Sequence, residues 1–499
     1  MASTEQRSVE TPLVIDIHTH TFNADDVPVR GFLHRVAFDH AGWGAEIAKL
    51  VDLLIQGRAP GYAAERAKLD RLLGGQPFEA AYRIPEVDDA EISATLEAEV
   101  DEALAMLQVQ HPALVARLGA ELQVAEEHED AIGQGMQDEG MLTEANAATR
   151  PSFVRRAIRW VILFGRSRFD ITRALLEAFD LEVDLFCPML VDLDSGLGDT
   201  APTTLCQQVE LHEKISRLSM LGLMPSRADA RVHPFAAFDP RREVRARLAK
   251  DIATPFELVK EAITRYGFIG VKVYPPMGWR PIGNKPSLDM TAMEARELDS
   301  VLRDFYGWCE KEHVPITAHC NATNFADPLY KDFASPAHWL PVLRAFPDLR
   351  VNLGHFGGAR ATEPQDGWPW QIARATPEHA HLYADVGNHS LHDDRVTGAY
   401  FRMLKQMFDD SATASMRDRV MLGSDWYMAA IHPDNEQFLS RYFELYEQSF
   451  GRDNAVAFAG TNARSFLGFD DATNRNCRRL VARYQHYAPQ RQPTWLATE

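Results

Sequence analysis

Eight short apolar runs rich in β-formers recur along the chain: LVIDIH from 13, VDLFCPMLVD from 183, RVHPFAAF from 231, FIGVKVY from 268, PITAHC from 315, LRVNLGH from 349, HLYADVG from 381 and RVMLGSD from 419. Near-continuous hydrophobic runs are the pattern of strands covered on both faces, as in a parallel sheet. From the second run onward the starts lie 32 to 48 residues apart, the length of one strand–helix unit. Helix-compatible stretches such as TPFELVKEAITRY, MEARELDSVLRDFYGWCEKE and ASPAHWLPVLRAF fill the gaps. Eight alternating units predict an α/β protein, a (β/α)8 TIM barrel, over an open doubly wound sheet.

One interval breaks the rhythm, because roughly 160 residues separate the first run from the second, far more than one connection requires. The segments ATLEAEVDEALAMLQV, PALVARLGAELQVAEEHEDAIG and PSFVRRAIRWVILFGRSRFDITRALLEAF read as helices by apolar spacing. A large helical insertion between strands 1 and 2 is therefore expected. The predicted organisation is a barrel from 12–23 and 180–470, an insertion over 24–179 serving as a lid or oligomer contact, and a C-terminal extension over 471–499. The basic flank around Trp160 to Phe164 reads as a buried insertion helix rather than a membrane-touching one.

Composition narrows the function. A formal charge of −19 disfavours a nucleic-acid partner, whose phosphates need a basic surface. The five cysteines (Cys187, Cys206, Cys309, Cys320, Cys477) form no CxxC pair and suit reduced, buried thiols. No run reaches the length of a membrane span, and the first residues lack a signal peptide's basic and apolar regions, so a cytoplasmic protein without membrane attachment is expected. A small-molecule substrate and a homo-oligomeric state are consistent with these properties.

Chemistry concentrates at one end of the predicted strands: His18 and His20, Lys272, His319, His355 and Asp425. An HxH pair alone says little, since 18 histidines in 499 residues yield about 0.6 such pairs by chance. A second pair, His379 and His381, falls at the start of its strand, the stability face, and is read as structural. His18 and His20 instead end their strand, and their spacing puts both imidazoles on one face, where two nitrogens can meet one ion. Imidazole and carboxylate donors suit Zn²⁺ best, with Mn²⁺, Fe²⁺ or Co²⁺ next. Around the same strand ends lie Tyr274, Trp279, Arg280, Phe356, Arg360, Trp368, Trp370, His389, Trp426 and Tyr427. Of these, Tyr274, Trp279, Arg280, Arg360 and Trp426 are the candidate substrate contacts: an aromatic mouth with arginines would hold a cyclic or aromatic acid. Asp385 in YADVG is read as a structural residue, or one that orients a ligand or pairs with an arginine.

The motifs DIHTH, GVKVYPP, AHC, NLGHFGG, LGSDW and GTNARSFLGF, in this order and spacing, resemble the amidohydrolase superfamily, in particular its amidohydrolase 2 branch of metal-dependent hydrolases. The resemblance runs from Leu13 to about Phe469 and leaves the helical region from about 24 to 180 unmatched. It implies that His18, His20, His319 and Asp425 ligate metal, with His355 as a further ligand or a polariser of the substrate, and that Asp425 takes a proton from the attacking water. Lys272 is similar to the lysine that relatives carboxylate with CO2 to bridge two metals. The full set His18, His20, Lys272, His319, His355 and Asp425 favours two ions, with Lys272 as a substrate-carboxylate anchor or pairing residue beside a single ion as the alternative. The expected catalytic groups are Asp425, His355 and Lys272. The expected function is hydrolysis of an amide, lactone or ester-like bond. Its rivals are metal-dependent decarboxylation or hydration on the same scaffold and, from another class, a non-catalytic barrel kept for binding or assembly.

Overall fold

The computed structural model describes residues 12–33, 35, 44–55, 60–74, 91–117, 153–224, 229–358, 365–389, 391, 394–431 and 435–497. Nine short strands form in chain order: β1 (Ile15–Thr19), β2 (Leu185–Pro188), β3 (Arg231–Val232), β4 (Phe235–Phe238), β5 (Gly270–Val273), β6 (Ile316–His319), β7 (Val351–Gly354), β8 (Leu382–Asp385) and β9 (Val420–Met421). Every strand residue is buried, as expected where helices cover one face and packed side chains fill the other. β1, β2 and β3 make one parallel sheet and β4 to β9 a second, each strand beside its neighbour in sequence.

β3 and β4 are two halves of the single run RVHPFAAF. Pro234, which has no N–H to give to a ladder, splits it. Backbone pairing continues across both seams between the sheets. At one, Met189 bridges Phe235 and Leu190 N donates to Phe235 O at 3.1 Å. At the other, Thr19 bridges Trp426, Ile17 N donates to Leu422 O at 3.2 Å and Asp425 N donates to His18 O at 2.7 Å. Eight staves thus run round as the ring expected from the sequence, and β1 lies beside the segment that follows β9.

The covering helices start where the sequence supplies caps. Thr204 and Thr291 each build a capping box, for Leu205–Leu221 and Ala292–Glu312, and Thr254 with Pro255 opens Pro255–Arg265. Between β1 and β2 the described helices include Gly44–Ile55, Tyr62–Leu73, Glu91–Gln110, Phe153–Phe164 and Arg168–Leu176. Their apolar faces, Leu54, Leu69, Val100, Ile158 and Phe164 among them, belong to the same hydrophobic cluster as the barrel strands. Most of the expected helix from 112 to 133 lies outside the described residues, which stop at 117 in that stretch. At the other side, Ile15, Ile17 and Leu185 pack with Phe466, Leu480, Tyr484 and Trp495, so the C-terminal segment closes over that end of the core. No helix among the described residues is long and apolar enough to cross a membrane.

Candidate metal centre

Alternation along β1 turns Ile15 and Ile17 to one side and Asp16, His18 and, just beyond the strand, His20 to the other. His18 lies between two groups. Its Nδ1 is 3.0 Å from both oxygens of Asp385, and its Nε2 is 2.9 Å from Lys272 Nζ and 3.6 Å from Asp425 Oδ1. His20 is arranged in the same sense: Nδ1 is 2.8 Å from the Met189 carbonyl and Nε2 is 3.1 Å from Asp425 Oδ1. In both rings Nδ1–H donates outward, which turns Nε2 towards Asp425.

His319 ends β6 and His355 follows β7, adjacent staves whose register sets His319 opposite Gly354. His355 Nδ1 donates to the Gly387 carbonyl at 2.9 Å, which turns its Nε2 to within 3.1 Å of His319 Nδ1. The Tyr274 ring stacks on His319 with centroids 4.4 Å apart. Buried His319 Nε2 has no hydrogen-bond partner among the described residues. The backbone here is held in the left-handed region, with φ 66° at His355 and 49° at Phe356, and Asp425 likewise has φ 56°. Such conformations cost about 1–3 kcal/mol each in non-glycine residues and persist where surrounding contacts impose them. For His355 one such contact is His389, whose Nε2 donates to the His355 carbonyl at 3.0 Å while Nδ1 faces Tyr442 Oη at 3.1 Å.

Burial sets the charge states. It pushes the His18 imidazole down to about 4 and lowers His319 and His355 as well, so all three rings are neutral at pH 7 with lone pairs available to a cation. Burial likewise brings Lys272 down to about 8, against the opposing pull of Asp385 and Asp425. For Asp425 burial acts upward, but the hydrogen bond with His20 and the neighbouring imidazoles hold its carboxyl well below the usual range. It is an anion at any neutral pH.

Asp385 has a different task. Besides His18 it accepts hydrogen bonds from Asn352 Nδ2 at 2.6 Å, His355 N at 3.1 Å and Gly387 N at 2.9 Å. It lies close enough to His18 and His355 to form a cation-binding triad, yet four donors already occupy its oxygens, so it orients His18. Of the sequence readings of Asp385 as structural, ligand-orienting or arginine-paired, only the arginine pairing is corrected: its partners among the described residues are a histidine, an asparagine and two backbone amides. Asp16 and Ser424 are a second pair that sequence reasoning passed over. Ser424 donates to Asp16 through N (3.0 Å) and Oγ (2.6 Å), and Oγ also accepts from Trp426 N at 3.0 Å, which pins the turn carrying Asp425 against β1.

All six strand-end residues singled out from sequence meet at this site. Ligand atoms of His18, His20 and Asp425 lie within 4.8 Å of one another, a compact donor set for a cation, with Lys272 adjoining them and the His319–His355 pair beyond. Imidazoles with outward-facing Nδ1–H groups and one anionic carboxylate fit a divalent ion of the zinc type.

The substrate candidates fare unevenly. Tyr274 lines the site, half-buried. Arg280 is half-buried with its guanidinium over the Phe333 ring at 4.5 Å. Trp279 and Trp426 are both 3% exposed or less and belong to the hydrophobic core cluster. Arg360 lies outside the described residues. His381 directly precedes β8, at the end opposite Asp385, in keeping with a structural HxH pair.

Residues 223–469 match the family model Amidohydro_2, amidohydrolase, a family of enzymes. Solved structures similar to the chain include an uncharacterized TIM-barrel protein from Bordetella bronchiseptica (16% identity, 60% of this chain and 80% of that one, TM-score 0.35). Others are a probable 2-pyrone-4,6-dicarboxylic acid hydrolase from Acinetobacter baumannii with citric acid bound (13% identity, 60% and 87%, TM-score 0.34) and an amidohydrolase from Burkholderia multivorans with bound zinc (13% identity, 60% and 86%, TM-score 0.34). No curated protein matches the chain.

Proposed function

We propose that the chain is a zinc-type metal-dependent hydrolase that uses water to cleave an amide, lactone or ester-like bond in a small carboxylated substrate. The observation that carries this reading is the convergence of His18 Nε2, His20 Nε2 and Asp425 Oδ1, each histidine held by an outward hydrogen bond from Nδ1. His18, His20 and Asp425 would hold one ion, and His319 Nδ1 with His355 Nε2 a second. A divalent cation supplies Lewis acidity, lowering the pKa of water from about 15.7 towards ~7 and polarising a carbonyl.

The chain's own residues divide the remaining work. Asp425, anionic at neutral pH, accepts the proton of the attacking water and delivers it to the leaving group. Lys272 links the two donor sets. With its pKa lowered to about 8, a usable fraction is the free amine at neutral pH. Attack of that free amine on the carbon of CO2, with one proton lost from nitrogen to solvent, gives a carbamate anion whose two oxygens would face the two sets, in place of the ammonium that would repel metal. Tyr274, stacked on His319, forms part of the wall that meets the substrate, and Arg280 is the cation suited to a substrate carboxylate.

The test is an assay of the zinc-loaded enzyme against a panel of cyclic amides, lactones and carboxylated aromatic acids. Incorporation of ¹⁸O from labelled water into a cleaved product supports the reading. Release of CO2 with no water-dependent cleavage overturns it in favour of decarboxylation.

A further inference from the structure

The helices between β1 and β2 reach the two loops that carry His20 and Asp425. Arg168, which opens the helix Arg168–Leu176, is fully buried. Its Nε and Nη2 grip the two oxygens of Asp26 at 2.9 and 2.7 Å, Nη1 donates to Glu65 Oε2 at 2.7 Å, and Nη2 also donates to Thr203 Oγ1 at 2.9 Å. Glu65, on the helix Tyr62–Leu73, spends its other oxygen on Phe169 N at 3.0 Å.

Asp26 belongs to the segment that follows His20. There Asn23 N donates to Asp26 Oδ2 at 3.1 Å, Asn23 Nδ2 donates to the Arg166 carbonyl at 2.9 Å, and Thr203 N donates to the Asp25 carbonyl at 2.7 Å. Phe22, within this fixed turn, sets its ring edge-on to His20 with centroids 5.4 Å apart. The second contact is aromatic. Trp160 and Phe164, on the helix Phe153–Phe164, lie 5.7 and 6.4 Å from the ring of Tyr427, two residues beyond Asp425, and Phe22 is 5.7 Å from that same ring.

A buried arginine between two acids seldom adds stability over an apolar packing of equal volume, because desolvation offsets the attraction; its best-attested use is to fix registry. Here the group fixed is the turn bearing Phe22. We propose that Arg168 is a positioning residue for the metal centre: by locking Asp26 and Glu65 it joins the helices between β1 and β2 to the loop that aims His20, and those helices thereby serve as part of the metal site's frame. This rests on the assignment of His20 and Asp425 as ligands.

The test compares zinc dissociation constants, measured by competition with a chromophoric chelator, for the full-length wild type, Arg168→Met, Arg168→Lys and the triple variant Asp26→Asn/Glu65→Gln/Arg168→Met. Thermal melting of each metal-free protein is followed by circular dichroism. The triple variant removes all three charges together and leaves no uncompensated buried ion. Expected are zinc affinities at least tenfold weaker for Arg168→Met and the triple variant, in the range typical of residues that orient metal ligands. A roughly threefold to tenfold loss is expected for Arg168→Lys, whose ammonium cannot reproduce the fork. A lowered melting temperature with zinc affinity within twofold of wild type, in Arg168→Lys and in whichever other variant folds, overturns the proposal. Absence of zinc binding by the wild type overturns instead the metal-centre assignment on which it rests.

Discussion

Both carboxylate oxygens of Asp385 lie 3.0 Å from Nδ1 of His18, across a ring that brings together residues 367 positions apart. The pair explains why His18 presents Nε2, and not Nδ1, to the site. With Nδ1–H committed to the carboxylate, only the other nitrogen keeps its lone pair for a cation.

Replacing that carboxylate by its amide tests the arrangement. Asp385→Asn keeps the shape but loses the negative charge and one acceptor, and places an NH2 among groups that are themselves donors. Zinc affinity should fall about 10- to 100-fold, measured by chelator competition, with the protein still folded by near-ultraviolet circular dichroism.

Lys272→Met probes nuclearity. If Lys272 links the two donor sets as a carboxylate, the zinc content by elemental analysis should drop from two ions per chain to one, and turnover should fall by roughly two to three orders of magnitude, the scale of losing a group that stabilises charge in the transition state. An unchanged stoichiometry of one in both proteins would favour the single-ion alternative.

Ser424→Ala removes a hydroxyl that donates to Asp16 and accepts from Trp426 N. Asp16 is fully buried, and burial has already pushed its carboxyl up to about 7. Loss of one donor should destabilise the fold by about 1–3 kcal/mol, read from urea denaturation, and should loosen the turn that carries Asp425.

His233 predicts an acid limb of stability away from the centre. Its ring contacts Ser216 Oγ at 3.2 Å and Tyr484 Oη at 2.9 Å, and burial, with the charges of Arg483 and Arg231, pushes it down to about 3 from 6.5. Between those values the unfolded chain binds the proton and the folded chain does not. Stability is therefore complete above pH 6.5 and declines as the pH falls through the window towards 3. The decline attributable to this residue is about 2 kcal/mol between pH 6.5 and pH 5. In His233→Gln, urea denaturation at the two pH values should show the wild-type loss reduced by about that amount.

The strand order and the six strand-end residues were legible in the sequence because each depends on a local pattern: an apolar run ending in a histidine, lysine or aspartate. Asp385 and Asn352 were not legible as partners of His18, since nothing in YADVG or VNLGH marks which stave will face β1 once the ring closes. The tryptophans are ambiguous for a related reason. An indole at a strand end reads equally as a ligand-facing ring or as packing, and only its neighbours decide; for Trp279 and Trp426 they are core residues. The contribution of the helices between β1 and β2 was likewise hidden, because the bonds of Arg168 to Asp26 and Glu65 span 142 and 103 residues.

The central claim is a divalent metal site at the strand ends, and anomalous diffraction from zinc-loaded crystals at the zinc edge tests it most directly. The account predicts one peak among His18 Nε2, His20 Nε2 and Asp425 Oδ1 and a second beside His319 Nδ1 and His355 Nε2, with density extending beyond Lys272 Nζ between them. A map without anomalous peaks at these atoms, with the Lys272 ammonium still hydrogen-bonded to His18 Nε2, would contradict it.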